Sequence, residues 1–148
     1  MLVLINPPYA EAMNVDNVTV SGGKNAESKR GVAQTRIAKS MGDYGYAARE
    51  LFIQFLVRIG KEIPNATIAT FSTLKYVNAP NFEKFRAIWT GMYLGGFVVH
   101  SQAFDGLKGD FPIGFLIWKT GLVTSVKLPI VELTTEVLNK NAEPIGEK

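Results

Sequence analysis

Asn6-Pro7-Pro8-Tyr9 is the stretch of this sequence whose residue types and spacing could do chemistry. It directly follows Leu2-Val3-Leu4-Ile5, four branched apolar residues with no polar alternation, which read as a fully buried strand. Proline cannot continue a ladder, so the strand stops at once and the motif falls at its carboxyl end. In open α/β sheets that rim is where ligands bind. The two prolines restrict the backbone, so the Asn6 amide and the Pro7 carbonyl point in set directions. Both are acceptors, and two converging acceptors can hold an exocyclic amino group. Acceptors of this kind also discourage delocalisation of the amine lone pair into a ring, which makes the nitrogen a better nucleophile. Tyr9 adds a flat face on which a base can stack. The bland alternative is a strand followed by a proline-rich turn, with Tyr9 as a rim aromatic. The position directly behind an apolar strand favours the chemical reading.

Other chemistries have less support. Cysteine is absent, which removes disulfides, thiolate metal sites and a cysteine nucleophile. His100 is the one histidine, so multi-histidine metal sites are excluded, and a lone histidine at a strand end reads as structural. Asp105 and Asp110, around Gly106 and Gly109, supply too few ligands for a metal loop and read as a hairpin turn. Ser40, Ser72 and Ser101 have no triad context. Trp89 and Trp118 fall within apolar patterns and read as core. The formal charge is only +3, but Lys24, Lys29, Arg30, Arg36 and Lys39 cluster with Glu27 as their single acid. Beside a Gly/Asn/Ser-rich stretch, that cluster offers candidate contacts to nucleic-acid phosphates. The competing reading is a solvated, mobile loop. The tail from Glu132 to Lys148 is acidic instead.

These residues need a scaffold, and the composition allows one. At 148 residues the chain is the size of one domain able to bury a core. With 47% hydrophobic and 20% charged residues it is neither disordered nor a coiled coil. No apolar run approaches a membrane span and no secretory signal is visible, so a single cytoplasmic domain with no membrane partner is expected. After a long polar loop from about Ala10 to Glu27, a helix is expected from about Ser28 to Met41. A second helix, with Asp43 as its N-cap, follows from the helical spacing of Ala48, Leu51, Phe52, Phe55, Leu56, Ile59 and Ile63. Ile53 and Val57 widen its apolar surface, and Pro64-Asn65 ends it. Ala66–Thr73 is β-branched and reads as a strand. A short helix from about Asn81 to Thr90 should turn Phe82, Phe85, Ile88 and Trp89 inward. Gly96–Val99 and Ile113–Trp118 read as further strands, and Val123–Leu133 as a strand or hairpin interrupted by Pro129. This order implies an α/β fold with parallel pairing early and an antiparallel hairpin late.

A strand followed by Asn-Pro-Pro-Tyr is similar to the catalytic motif of S-adenosyl-L-methionine (AdoMet)-dependent amino-group methyltransferases, above all the DNA adenine-N6 methyltransferases. The order of the later elements, through the ending Gly-Phe-Leu-Ile-Trp-Lys, resembles the same family over nearly the whole chain. The resemblance implies a partial Rossmann-like methyltransferase sheet with flanking helices. It implies that Asn6 and the Pro7 carbonyl accept hydrogen bonds from the target amine and that Tyr9 stacks on a flipped adenine. Phe97 or Phe104 would add the aromatic contact that the family takes from its hairpin. The implied partner is DNA, in a restriction–modification or phage system, and the implied cofactor is AdoMet. Protein glutamine-N5 and RNA amino methyltransferases use a similar tetrapeptide and remain alternatives.

The sequence also departs from the family. A Gly-rich AdoMet loop should follow a first strand, and an acidic residue a second. Gly22-Gly23-Lys24 follows no buried strand, and Gly91-Met-Tyr-Leu-Gly95-Gly96 precedes a strand instead of a helix. The chain is therefore expected to be the catalytic half of a methyltransferase fold, inactive and weak in AdoMet binding by itself. Leu2–Ile5 should then be an open edge, which favours a homodimer or a complementing half. A non-catalytic half-fold assembly module is the reading from another functional class.

Overall fold

The computed structural model describes residues 1–8, 31–105, 109–121 and 134–147. Tyr9, Lys24, Lys29 and Arg30 lie outside these residues, as does the strand or hairpin expected over Val123–Leu133. The chain forms two compact units, one of Met1–Asn6, Ile63–Leu74 and Thr90–Lys148, the other of Pro7–Glu62 and Lys75–Trp89.

The first unit is an open six-stranded sheet. Its strands are β1 (Leu2–Ile5), β2 (Thr67–Thr73), β3 (Met92–His100), β4 (Pro112–Lys119), β5 (Glu136–Leu138) and β6 (Pro144–Glu147). Their spatial order is β1-β2-β4-β3-β5-β6. β1 and β2 are parallel, and β4 runs antiparallel to both β2 and β3. β5 lies parallel to β3, and β6 antiparallel to β5. This is the partial Rossmann-like arrangement expected, with a parallel pair first and an antiparallel hairpin later. Side-chain alternation sends Ile68, Thr70 and Ser72 of β2 to one face, all three fully buried. Ala69 and Phe71 take the other face. Gly96 lies so close to β4 that a Cβ there would stand 2.2 Å from the Phe115 carbonyl oxygen, so glycine is what lets β3 pair in register. A bulge between Tyr93 and Gly95 re-aims the start of β3.

β1 spans the expected residues but is not fully buried. It is an edge strand, with Leu2 and Leu4 each 68% exposed, because among the described residues only β2 pairs with it. β3 is longer than Gly96–Val99, and β5 and β6 were not anticipated, since three- and four-residue strands leave too short a pattern to read.

The second unit is helical. Of the helix expected from Ser28 to Met41, residues 28–30 lie outside the described residues; residues 31–34 are helical, Thr35 breaks the helix, and α1 (Arg36–Lys39) follows. Thr35 caps α1, its hydroxyl accepting from the Ala38 N–H at 3.0 Å and donating to Gln54 Oε1 at 2.7 Å. Buried Gln54 donates from Nε2 to the carbonyls of Val32 (2.7 Å) and Ala48 (2.8 Å). Asp43 is not the N-cap of the second helix. Gly42–Arg49 is a 3₁₀ helix kinked at Gly45 (φ 61°, ψ −130°), and α2 (Leu51–Glu62) begins only after it. Phe52, Ile53, Leu56 and Val57 are buried, whereas Phe55 is 40% exposed and not inward as expected. Burial, and then the neighbouring Asp43 carboxylate, raise the pKa of Tyr44 on the 3₁₀ helix. α3 (Lys75–Asn78) was not anticipated; a 3₁₀ turn, Pro80–Phe82, leads from it into α4 (Glu83–Ile88). Phe82 and Phe85 are buried as expected, and Trp89 stacks on Phe85 at 5.2 Å. Among the described residues no helix is long and apolar enough to cross a membrane.

Candidate functional site

Asn6 stands at the carboxyl end of β1, exposed at the rim. Ile5 lies opposite Thr70, so the next residue on each strand is Asn6 on one and Phe71 on the other. Phe71 starts an aromatic row across three strands. It is directly opposite Phe115 on β4, and Phe115 is directly opposite Phe97 on β3. Opposed residues share a face, so all three rings stand on the same side of the sheet. The Phe71 ring lies 4.7 Å from that of Phe115 and 6.1 Å from that of Phe97. Phe97 and Phe115 stack at 5.2 Å with 27° between their planes.

Phe104 joins the row from a different element. β3 ends at His100, and the 3₁₀ turn Ser101–Ala103 delivers Phe104, whose ring meets Phe71 edge-on at 5.5 Å and 80°. Two polar side chains fix that turn. Buried Ser101 donates its hydroxyl to the Gly109 carbonyl (2.8 Å) and accepts from the Phe111 N–H (3.3 Å). His100 accepts from the Gln102 N–H at Nδ1 (3.1 Å), and its Nε2 lies 2.7 Å from Asp110 Oδ1. His100, Ser101 and Asp110 thus organise the β3–β4 connection, in keeping with the structural reading of His100 and the turn reading of Asp110. Among the described residues no group of His, Asp and Glu side chains could hold a metal ion.

The structure therefore brings both hairpin candidates, Phe97 and Phe104, to one aromatic centre. Phe71 and Phe115 complete it and were missed, because nothing in the sequence indicates that Phe71, Phe97 and Phe115 share a row; only the strand register does. All four rings are partly exposed instead of core. Tyr9 lies outside the described residues. Of the basic cluster, Arg36 and Lys39 are described, both exposed on α1 in the helical unit. Pro7 is buried and Pro8 exposed.

The Gly95-Gly96 pair is inside β3, where the space beside Gly96 is filled by the backbone of β4, and no described strand passes through a glycine-rich loop into a helix.

No protein-family model matches the chain, and no curated protein matches it. Among solved structures it is similar to the ATP-dependent Type ISP restriction-modification enzyme LlaBIII bound to DNA, at 12% identity and a TM-score of 0.47, over 93% of this chain and 10% of that one. It is similar also to DrdV in a complex with DNA, at 13% identity and a TM-score of 0.43, over 93% of this chain and 14% of that one. The chain thus spans about a tenth and a seventh of their lengths.

Proposed function

We propose that this chain is the amine-holding part of a DNA adenine-N6 methyltransferase of the restriction-modification kind. One observation carries the reading: an Asn-Pro-Pro stretch ends a strand whose neighbour places a half-buried aromatic row next along the same rim. Asn6 and the Pro7 carbonyl would accept hydrogen bonds from the exocyclic amine, holding it and raising its nucleophilicity. The aromatic row, with Tyr9, would receive the flat face of the extruded base. A platform of this kind suits a planar base better than the amide of a glutamine side chain, which favours the nucleic-acid reading over protein glutamine-N5 methylation. Lys24, Lys29, Arg30, Arg36 and Lys39 would contact DNA phosphates. The family's methyl donor is AdoMet, and in this reading the role of this chain is to hold and orient the amine.

In the methylation-competent protein, Asn6→Ala should lower the single-turnover rate by about 10²–10³, far more than it weakens DNA binding, because it removes an acceptor aimed at the reacting nitrogen. A near-normal rate would refute the assignment. The chain alone offers a second measurement. It should prefer an oligonucleotide carrying adenine over one carrying purine, which lacks the amine, and Asn6→Ala should abolish that preference.

A further inference from the structure

We propose that His100 is a proton-sensitive cap: neutral, it holds the turn that delivers Phe104 to the aromatic row, and charged, it releases that turn. What Phe104 does in the row rests on the proposed function. The switch itself is a property of the chain and is tested without DNA.

The imidazole makes two hydrogen bonds of opposite sense. Nδ1 accepts from the Gln102 N–H at 3.1 Å, so it carries a lone pair and no proton. Nε2 lies 2.7 Å from Asp110 Oδ1, an acceptor, so it carries the proton. Together the two partners fix one neutral tautomer. The first bond is a cap: His100 precedes the 3₁₀ turn Ser101–Ala103, and its side chain takes up the turn's second N–H. A ring nitrogen can do this only while it is unprotonated.

Protonation adds a hydrogen at Nδ1, the one lone pair left in the ring, and sets two N–H donors against each other. The bond to Asp110 survives and becomes charge-assisted, so the ring stays with the carboxylate and the Gln102 N–H turns away. Among the described residues, the charged side chains lining the cavity beside His100 are Asp110 and, after β5, Lys140. Asp110 carries the opposite charge to an imidazolium, and Lys140 the same charge. Pro112, opposite His100 on β4, brings none.

The geometry confines the effect. The foot of the turn is held without His100, by the Ser101 N–H on the Phe111 carbonyl (3.0 Å) and by the two bonds of the Ser101 hydroxyl. Beyond Ser101, the cap on Gln102 is joined by the Phe104 N–H on the Ser101 carbonyl (3.1 Å) and a longer Gln102 Nε2 contact to Asp110 Oδ1 (3.4 Å). A three-residue 3₁₀ turn has few bonds to lose. Phe104 follows it directly and meets Phe71 only edge-on. Loss of the cap therefore moves Phe104 away from Phe71 and leaves the β3–β4 pairing intact.

His100 is the chain's one histidine, so imidazole signals belong to it alone, and histidine ordinarily changes charge between about pH 5 and 8. Nitrogen-15 NMR of the full chain at the upper end should show the Nε2–H tautomer. On acidification the Phe71–Phe104 ring contact, read as nuclear Overhauser effects, should fade with the imidazole midpoint. Exchange of the Gln102 amide should quicken about fivefold relative to that of Phe111, the worth of one ordinary hydrogen bond. The ratio cancels the general effect of acid on exchange. Asparagine caps well and does not titrate, so His100→Asn should keep the ring contact at both ends of the range. If His100→Asn fails to fold, titration of the unaltered chain decides alone. Base capture, read by 2-aminopurine fluorescence, should fall in parallel; unchanged capture while the contact fades would refute the role given to Phe104 and not the switch. An Nδ1–H tautomer, a contact that persists through the imidazole titration, or its loss on acidification in a folded His100→Asn would each overturn the proposal.

Discussion

Phe97 and Phe104 are alike in sequence but have different freedom to receive a base. Phe97 is stacked on Phe115, so one ring face is already used. Among the described residues the one ring contact of Phe104 is edge-on, with Phe71, so neither of its faces is stacked on another described ring. Phe104→Leu should therefore weaken capture of an extruded base by about 1–3 kcal/mol, as other base–aromatic stacks do. Phe97→Leu should chiefly lower stability, by loosening the row. The fluorescence of 2-aminopurine in a bound oligonucleotide, set beside urea unfolding of both variants, separates these outcomes. Equal loss of base capture with equal stability would remove the distinction.

At the level of elements, Gln54 does for the helical unit what Ser101 does for the hairpin turn. It ties the helical turn at 31–34, the Thr35 cap and the 3₁₀ helix to α2 through three hydrogen bonds, and it is 1% exposed. Gln54→Ala would orphan two carbonyls and a cap hydroxyl, and unfolding should show a loss of about 1–3 kcal/mol per buried group left unpaired. A change below that range would mean that water replaces the amide. The same anchoring sets the attitude of α1, whose Arg36 and Lys39 are exposed to solvent. Replacing both with alanine should reduce the slope of log DNA affinity against log salt by about 0.9 for each phosphate no longer neutralised. An unchanged slope would place α1 away from the DNA.

For the molecule as a whole, the proposed function assigns the target amine to the rim at Asn6, while no described strand passes through a glycine-rich loop into a helix. Calorimetric titration of the chain alone should accordingly detect no tight AdoMet binding. Micromolar affinity, corresponding to about −8 kcal/mol, would contradict the half-fold description.

Much of this was legible in sequence because it depends on local chemistry. Proline at 7 and 8 must end β1 wherever the strand lies, so the rim position of Asn6 followed from composition and order alone. β2 and β4 were recognisable from β-branched and apolar runs, and α2 from its helical spacing, since these patterns need only their own neighbours. The start of α2 was not legible: Asp43 is a good cap by residue type, but a positive φ at Gly45 turns the chain first, and that choice is made by packing. Nor was the burial of β1, because four apolar residues look the same on an edge as inside a sheet. The aromatic centre depended most on tertiary structure. Phe71, Phe97, Phe104 and Phe115 lie up to 44 residues apart in sequence, and only strand register and the turn held by Ser101 and His100 bring their rings together.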